Sequence, residues 1–213
     1  MIQTLRRALI GFLLCLPLAA HADYFFEGVD YHRLETPIPV TTAPGEVEVL
    51  ELFWYGCPHC FRLEPYLQKW LPNAPAALRF RQQPAVLSPR WAPAAQAFYA
   101  AEALGVLPQI HHALFDGIHV SGNRALASDR AAIAKLFAQQ GLSETDFNQA
   151  WDSFAVRGKL RRAEQFTQRS GIQGVPTILV QGKYLTDGSS AGSYENLIKV
   201  IEYLVAKESG AAE

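Results

Sequence analysis

Apolar residues crowd into Val47-Glu48-Val49-Leu50-Glu51-Leu52-Phe53, a run that reads as a buried strand. Immediately afterwards the spacing changes. Phe61, Leu63, Tyr66, Leu67 and Trp70 recur at helical intervals, so strand gives way to helix near residue 57. Pro65 falls inside that helix and predicts a kink, because a proline there removes a backbone hydrogen bond. Leu71-Pro72 marks the helix end, and Leu78-Arg79-Phe80-Arg81-Gln82 alternates as the next strand. Upstream, residues 31–34 and 38–40 are predicted as short edge strands, with a turn at Ala43-Pro44-Gly45.

From residue 88 to 170 the pattern is helical. Trp91, Ala95, Phe98, Tyr99 and Leu104 form one stripe, and Ile110, Leu114 and Phe115 another. A helix with Ile133, Leu136 and Phe137 starts at Ser128-Asp129-Arg130 and ends near Gly141. Ser143 caps a further helix, with acids in its first turn and Phe147 and Trp151 beyond. A basic helix fills residues 154–169. The chain then returns to strand character. Ile178-Leu179-Val180 and Lys183-Tyr184-Leu185 flank Gln181-Gly182, a hairpin signal. A last helix over residues 193–207 carries Leu197, Ile201 and Leu204 on one face.

Composition adds limits. The 213 residues are 49% hydrophobic and 18% charged, an ordinary globular balance. Residues 1–22 read as a secretory signal: Arg6-Arg7, an apolar run at 8–18 too short to span a bilayer comfortably, then Ala20-His21-Ala22. Cleavage between Ala22 and Asp23 is expected, which places the mature protein in an exported compartment. The mature chain then holds 17 basic and 20 acidic residues, and nothing in it suggests nucleic-acid binding. Cys15 leaves with the signal, so Cys57 and Cys60 remain as an isolated pair. An exported chain whose two cysteines lie three apart uses them for chemistry rather than as a staple.

The chemistry follows from placement. Cys57 sits where the strand ends, and Pro58 suits a first helical position, where a missing N–H costs nothing. The first helical turn has unpaired N–H groups and partial positive charge. A Cys57 thiolate gains from both, and a protonated His59 adds to the effect, so the thiol pKa falls below the free value of about 8.5. Cys60, one turn on, is more buried and within reach of a disulfide. The pair can therefore cycle between dithiol and disulfide with Cys57 as the exchanging sulfur. A zinc site needs four ligands, and neither a second cysteine pair nor ligand-spaced histidines supply them. An inert structural disulfide closing so small a loop gains little. Trp54 and Tyr55 read as packing around the site, and His111, His112 and His119 as solvated or packed rather than ligating.

Phe53-Trp54-Tyr55-Gly56-Cys57-Pro58-His59-Cys60 resembles the active site of the thioredoxin superfamily, and Cys-Pro-His-Cys resembles the DsbA-type periplasmic dithiol oxidases. The resemblance implies an α/β thioredoxin-like fold with an inserted helical domain: residues 23–87, the insertion at 88–170, then 171–213. It implies that Pro176 follows a cis bond, with Val175 facing the disulfide and offering backbone hydrogen bonds to an extended substrate. It implies that Glu51, six residues before Cys57, lies beneath the sulfurs as a proton relay. Related proteins often pair this acid with a lysine on the following strand, where this chain has Arg79-Phe80-Arg81-Gln82-Gln83. A solvent-facing Glu51 is the alternative.

The implied function is a thiol:disulfide oxidase serving exported proteins with free thiols. A DsbB-like quinone-linked membrane protein would reoxidise it, without metal or organic cofactor, and a monomer is expected. The alternatives are a periplasmic reductase or isomerase, and a peptide-binding chaperone with a secondary redox role. The known isomerases carry an N-terminal dimerisation domain for which residues 23–53 are too short.

Overall fold

A computed structural model describes residues 24–210. The signal segment and the Ala22–Asp23 cleavage site lie outside the described residues. In chain order the elements are β1 (His32–Arg33), β2 (Val47–Phe53), α1 (Pro58–Trp70), β3 (Leu78–Pro84), α2 (Ala92–Ala103), α3 (Leu107–His119), α4 (Arg130–Gln139), α5 (Glu144–Asp152), α6 (Phe154–Ser170), β4 (Thr177–Val180), β5 (Tyr184–Thr186) and α7 (Tyr194–Ser209). The sheet order is β1-β5-β4-β2-β3, with β2 parallel to β3 and the other pairs antiparallel.

β2 is buried along its whole length because both sheet faces are covered. Its side chains alternate between faces. Val47 and Val49 pack on one face against Leu63, Leu67 and Trp70 of α1 and Leu197, Ile201 and Leu204 of α7. Leu50 and Leu52 point the other way, against Ala85, Ile172 and Leu179. Glu51 belongs to the α1 face and is 0% exposed, so the solvent-facing alternative does not hold. Glu48 escapes an unpaired burial through a two-pronged contact with Arg81, at 2.6 and 3.2 Å.

Helices α2 to α6 lie between β3 and β4 in the chain and bury their stripes together: Phe98 with Ile110, Leu114 and Phe115, and Ile133 and Phe137 with Phe147 and Trp151. Caps fall where hydroxyl and carboxylate oxygens were expected. Asp129 accepts from Ala132 N, and Ser143 from Asp146 N. Phe53, Tyr55, Cys57 and Cys60 belong to this same cluster, so the helical layer packs directly on the cysteine loop.

Two edge predictions need correction. Strand structure near the start is confined to His32–Arg33, and residues 38–40 form no strand. Ile38 N still donates to Gly182 O at 2.8 Å, a single hydrogen bond without a ladder. The hairpin forms as predicted, with Gln181 and Gly182 both at positive φ, 50° and 63°. α1 ends at Trp70 with Leu71 as its C-cap, as Leu71-Pro72 predicts, and a 3-10 turn follows over Leu71–Asn73.

Candidate active site

Cys57 is the N-cap of α1, with extended backbone, and Pro58 opens the helix. Its own N–H donates to Trp54 O at 2.9 Å, and its carbonyl accepts the first helical bond from Phe61 N at 3.1 Å. Cys60, one turn in, is 0% exposed, against 8% for Cys57. Both cysteines are thiols.

The two sulfurs have opposite electrostatics. Cys57 is lowered to about 6, chiefly by the hydrogen bond from Cys60, then by the backbone N–H groups of Cys60 and His59 and by the His59 charge, against the opposing effect of burial. Cys60 is pushed up, first by burial, then by its bond to Cys57 and by Glu51. Arg62 Nη2 lies 2.9 Å from His59 Nδ1. A guanidinium can only donate, so Nδ1 accepts in this pose, and the ring lends charge to Cys57 only when it is protonated and that contact opens.

Across the sulfur lies the loop before β4. The Val175–Pro176 bond is cis, as the resemblance implies, and Cys57 Sγ donates to Val175 O at 3.2 Å. That contact belongs to the thiol. A thiolate has no proton to give and turns to the Cys60 S–H and the helix N–H groups instead. An open cleft of about 890 Å³ runs from this loop past His59, Arg62 and Tyr194. Tyr194 OH donates to His59 O at 3.0 Å and ties the start of α7 to the cysteine turn.

Beneath the sulfurs is a polar network of which the sequence marks Glu51 alone as a site residue. Gln82 Nε2 donates to Glu51 Oε2 and to Glu64 Oε1, both at 2.8 Å. Gln82, the register partner of Glu51 on β3, thus takes the place of the lysine that the resemblance implies. Glu64 also meets His111 Nε2 at 3.2 Å, and His111 Nδ1 pairs with the buried Tyr55 hydroxyl at 2.9 Å. Burial, then repulsion from Glu64, pushes Glu51 up to about 8, with the Gln82 bond opposing. Two buried carboxylates sharing one amide cannot both ionise cheaply, so Glu51 keeps its proton at neutral pH.

Glu64 and His111 carry a signal in the sequence, whereas Gln82 does not. Glu64 is four residues after Cys60, on the same buried helix face as Leu63 and Leu67. His111 sits inside the apolar stripe of α3. His119 Nε2 donates to Tyr55 O at 2.8 Å, and Trp54 stacks on Trp91 at 4.3 Å, so these side chains pack around the site. Among the described residues no group of three or more His, Cys, Asp or Glu side chains is placed to hold a metal.

A strand-to-helix turn with a lowered thiol at the cap, a buried partner thiol and a facing cis-proline loop defines a thioredoxin-fold dithiol:disulfide oxidoreductase. The family model for the DSBA-like thioredoxin domain matches residues 48–199, and the chain belongs to that family. It is similar to the thiol:disulfide interchange protein DsbA of Pseudomonas aeruginosa, 37% identical over 92% of both chains. The protein of that name from Azotobacter vinelandii is 39% identical over 86% of this chain and 85% of its own. The crystal structure of Pseudomonas aeruginosa DsbA superposes with a TM-score of 0.80 at 37% identity, covering 88% of this chain and 96% of that one. The Xylella fastidiosa DsbA structure gives 0.79 at 30% identity, covering 87% and 98%.

Proposed function

We propose that the chain donates the Cys57–Cys60 disulfide to exported proteins through a mixed disulfide at Cys57. A client thiolate attacks Cys57 Sγ, the client–Cys57 bond forms, the Cys57–Cys60 bond breaks, and Cys60 leaves and takes up a proton. The client's second thiolate then attacks its own sulfur in the mixed disulfide, and Cys57 leaves as a thiolate. Two electrons pass from client to enzyme, and the client gains one disulfide.

The observation that carries this reading is the opposition of the two thiols. Cys57 is lowered to about 6 at the helix start while Cys60 is raised behind it. A stabilised leaving thiolate favours release of Cys57 and makes the disulfide oxidising. Pro58 and His59 shape that turn, and Glu51, buried and felt by Cys60, serves as its proton store. The loop at Val175 and Pro176 is the client-binding edge. In the disulfide form Cys57 has no proton to place on Val175 O, which is then open to a client backbone N–H. In the protonated dithiol form Cys57 S–H itself occupies that carbonyl at 3.2 Å, a contact that the thiolate released in the reaction does not make.

The working protein is an exported, periplasmic monomer starting at Asp23, divided into thioredoxin-like parts at 23–87 and 171–213 around a helical insertion at 88–170. A DsbB-like membrane partner returns it to the disulfide form. The relatives' shared name, thiol:disulfide interchange protein, supports the exchange activity on which this reading rests. Acid quenching of the oxidised protein during reaction with a reduced two-cysteine client, followed by peptide mapping, tests the mechanism. The client adduct is expected on Cys57. An adduct mainly on Cys60 overturns the assignment.

A further inference from the structure

The cleft beside Val175 and His59 is not the only hollow at the reactive sulfur. A second cleft of about 730 Å³ meets the cysteine turn at Gly56 and Pro58, the residues on either side of Cys57. It shares no lining residue with the first. Trp54 and Trp91 form an aromatic wall, their rings 4.3 Å apart and 2° from parallel. Gly56 is required under that wall, because a Cβ there would lie 2.3 Å from the Trp54 ring.

Charge separates the two clefts. The first is mixed, with Arg62 and His59 set against Asp187 and Glu195. The second holds Arg90 and Arg124 and no Asp or Glu in its lining. Each arginine sits in a short 3-10 turn, Pro89–Trp91 and Arg124–Ala127, and is exposed. Among the described residues neither arginine forms a salt bridge. Two like charges at one cleft beside a flat aromatic wall complement a carboxylate on an extended chain, with Arg supplying planar two-pronged donors.

We propose that this second cleft is a specificity subsite for client segments carrying Asp or Glu on one flank of the reacting cysteine, with Arg90 and Arg124 as the recognising cations. It rests on the reading of Cys57 as the sulfur that clients attack. An extended client spans about 3.3 Å per residue, so two to four residues carry it from Cys57 into a cleft bordered by Pro58. The first cleft then takes the other flank along the Val175 loop.

The test is a set of two-cysteine peptides, identical except for Asp or Asn placed two, three or four residues to either side of the first cysteine. Oxidation by the wild-type protein is followed at low and high salt. An acid on one flank is expected to raise kcat/KM about 3- to 10-fold over Asn, with the gain fading at high salt. In Arg90→Ala, Arg124→Ala and the double variant, the Asp-to-Asn ratio should fall toward one. A ratio of one in the wild type, an equal gain on both flanks, or a ratio untouched in the double variant overturns the subsite. Failure of the wild type to oxidise even the Asn peptides would instead sink the oxidase mechanism on which the subsite rests.

Discussion

At the scale of single residues, reactivity is set by which donors each sulfur meets. Cys57, lowered to about 6, should be alkylated by iodoacetamide with a midpoint near that pH, while Cys60 stays unlabelled at neutral pH. The hydrogen bond from Cys60 ranks first among the causes, and the His59 ring charge last. Cys60→Ala should therefore move the Cys57 midpoint up further than His59→Ala does. A larger move in the His59 variant would show that ring charge dominates. Glu51 gives a second prediction. Its folded pKa of about 8 lies above the ordinary 4.5, so the unfolded chain ionises first. Stability is retained below pH 4.5 and lost as pH rises through 8, by about 1.4 kcal/mol per pH unit. Glu51→Gln should remove most of that slope and stabilise the fold by about 2–3 kcal/mol at pH 7, read by urea unfolding from pH 4 to 9. An unchanged slope would mean that Glu51 is ionised in the fold. Spacing from Cys57 marked Glu51 in the sequence. The network around it was legible only in part, because Gln82 reaches Glu51 through strand pairing and His111 reaches Glu64 through the packing of a distant helix.

At the scale of elements, the strongly periodic segments were legible and the irregular ones were not. β2 matched its predicted run because seven consecutive positions are buried between two covered faces. The helical stripes held because α3, α4 and α5 bury one side in the cluster around α2, while α7 buries its face with α1 against the sheet. Residues 38–40 failed as a strand because their apolar side chains serve packing while only Ile38 finds a backbone partner, at Gly182. That contact makes the hairpin testable. Gly182 has φ of 63°, and a Cβ there would lie 1.9 Å from Ile38 O. Gly182→Ala should cost about 1–3 kcal/mol through strain and loss of the Ile38 contact, measured as a lower urea midpoint with an unchanged slope. A wild-type midpoint would show that the 38–40 segment moves aside freely.

At the scale of the whole molecule, the fold places one thiolate at a helix start and hides its partner, so reduction and folding are linked. Cys57 is lowered from 9.0 to about 6. The extra stability of the reduced form is therefore full above pH 9, declines by about 1.4 kcal/mol per pH unit below that, and is gone once pH falls through 6. Reduced and oxidised protein unfolded in parallel should show a gap that widens from pH 5 to pH 9, in favour of the reduced form. A gap independent of pH would remove the thiolate from the explanation. The leader-like residues 1–22 and the lone cysteine pair already pointed to an exported redox protein, but the second cleft was invisible in sequence, since Trp54, Trp91 and Arg124 meet only after the helical layer folds onto the turn. The central claim is that the stabilised Cys57 thiolate makes the disulfide an oxidant. The reduction potential of the Cys57–Cys60 pair, measured by equilibration with glutathione at pH 7, tests it most directly. The account predicts a value more positive than the roughly −180 mV of protein disulfide isomerase; a value near or below thioredoxin's roughly −270 mV contradicts it.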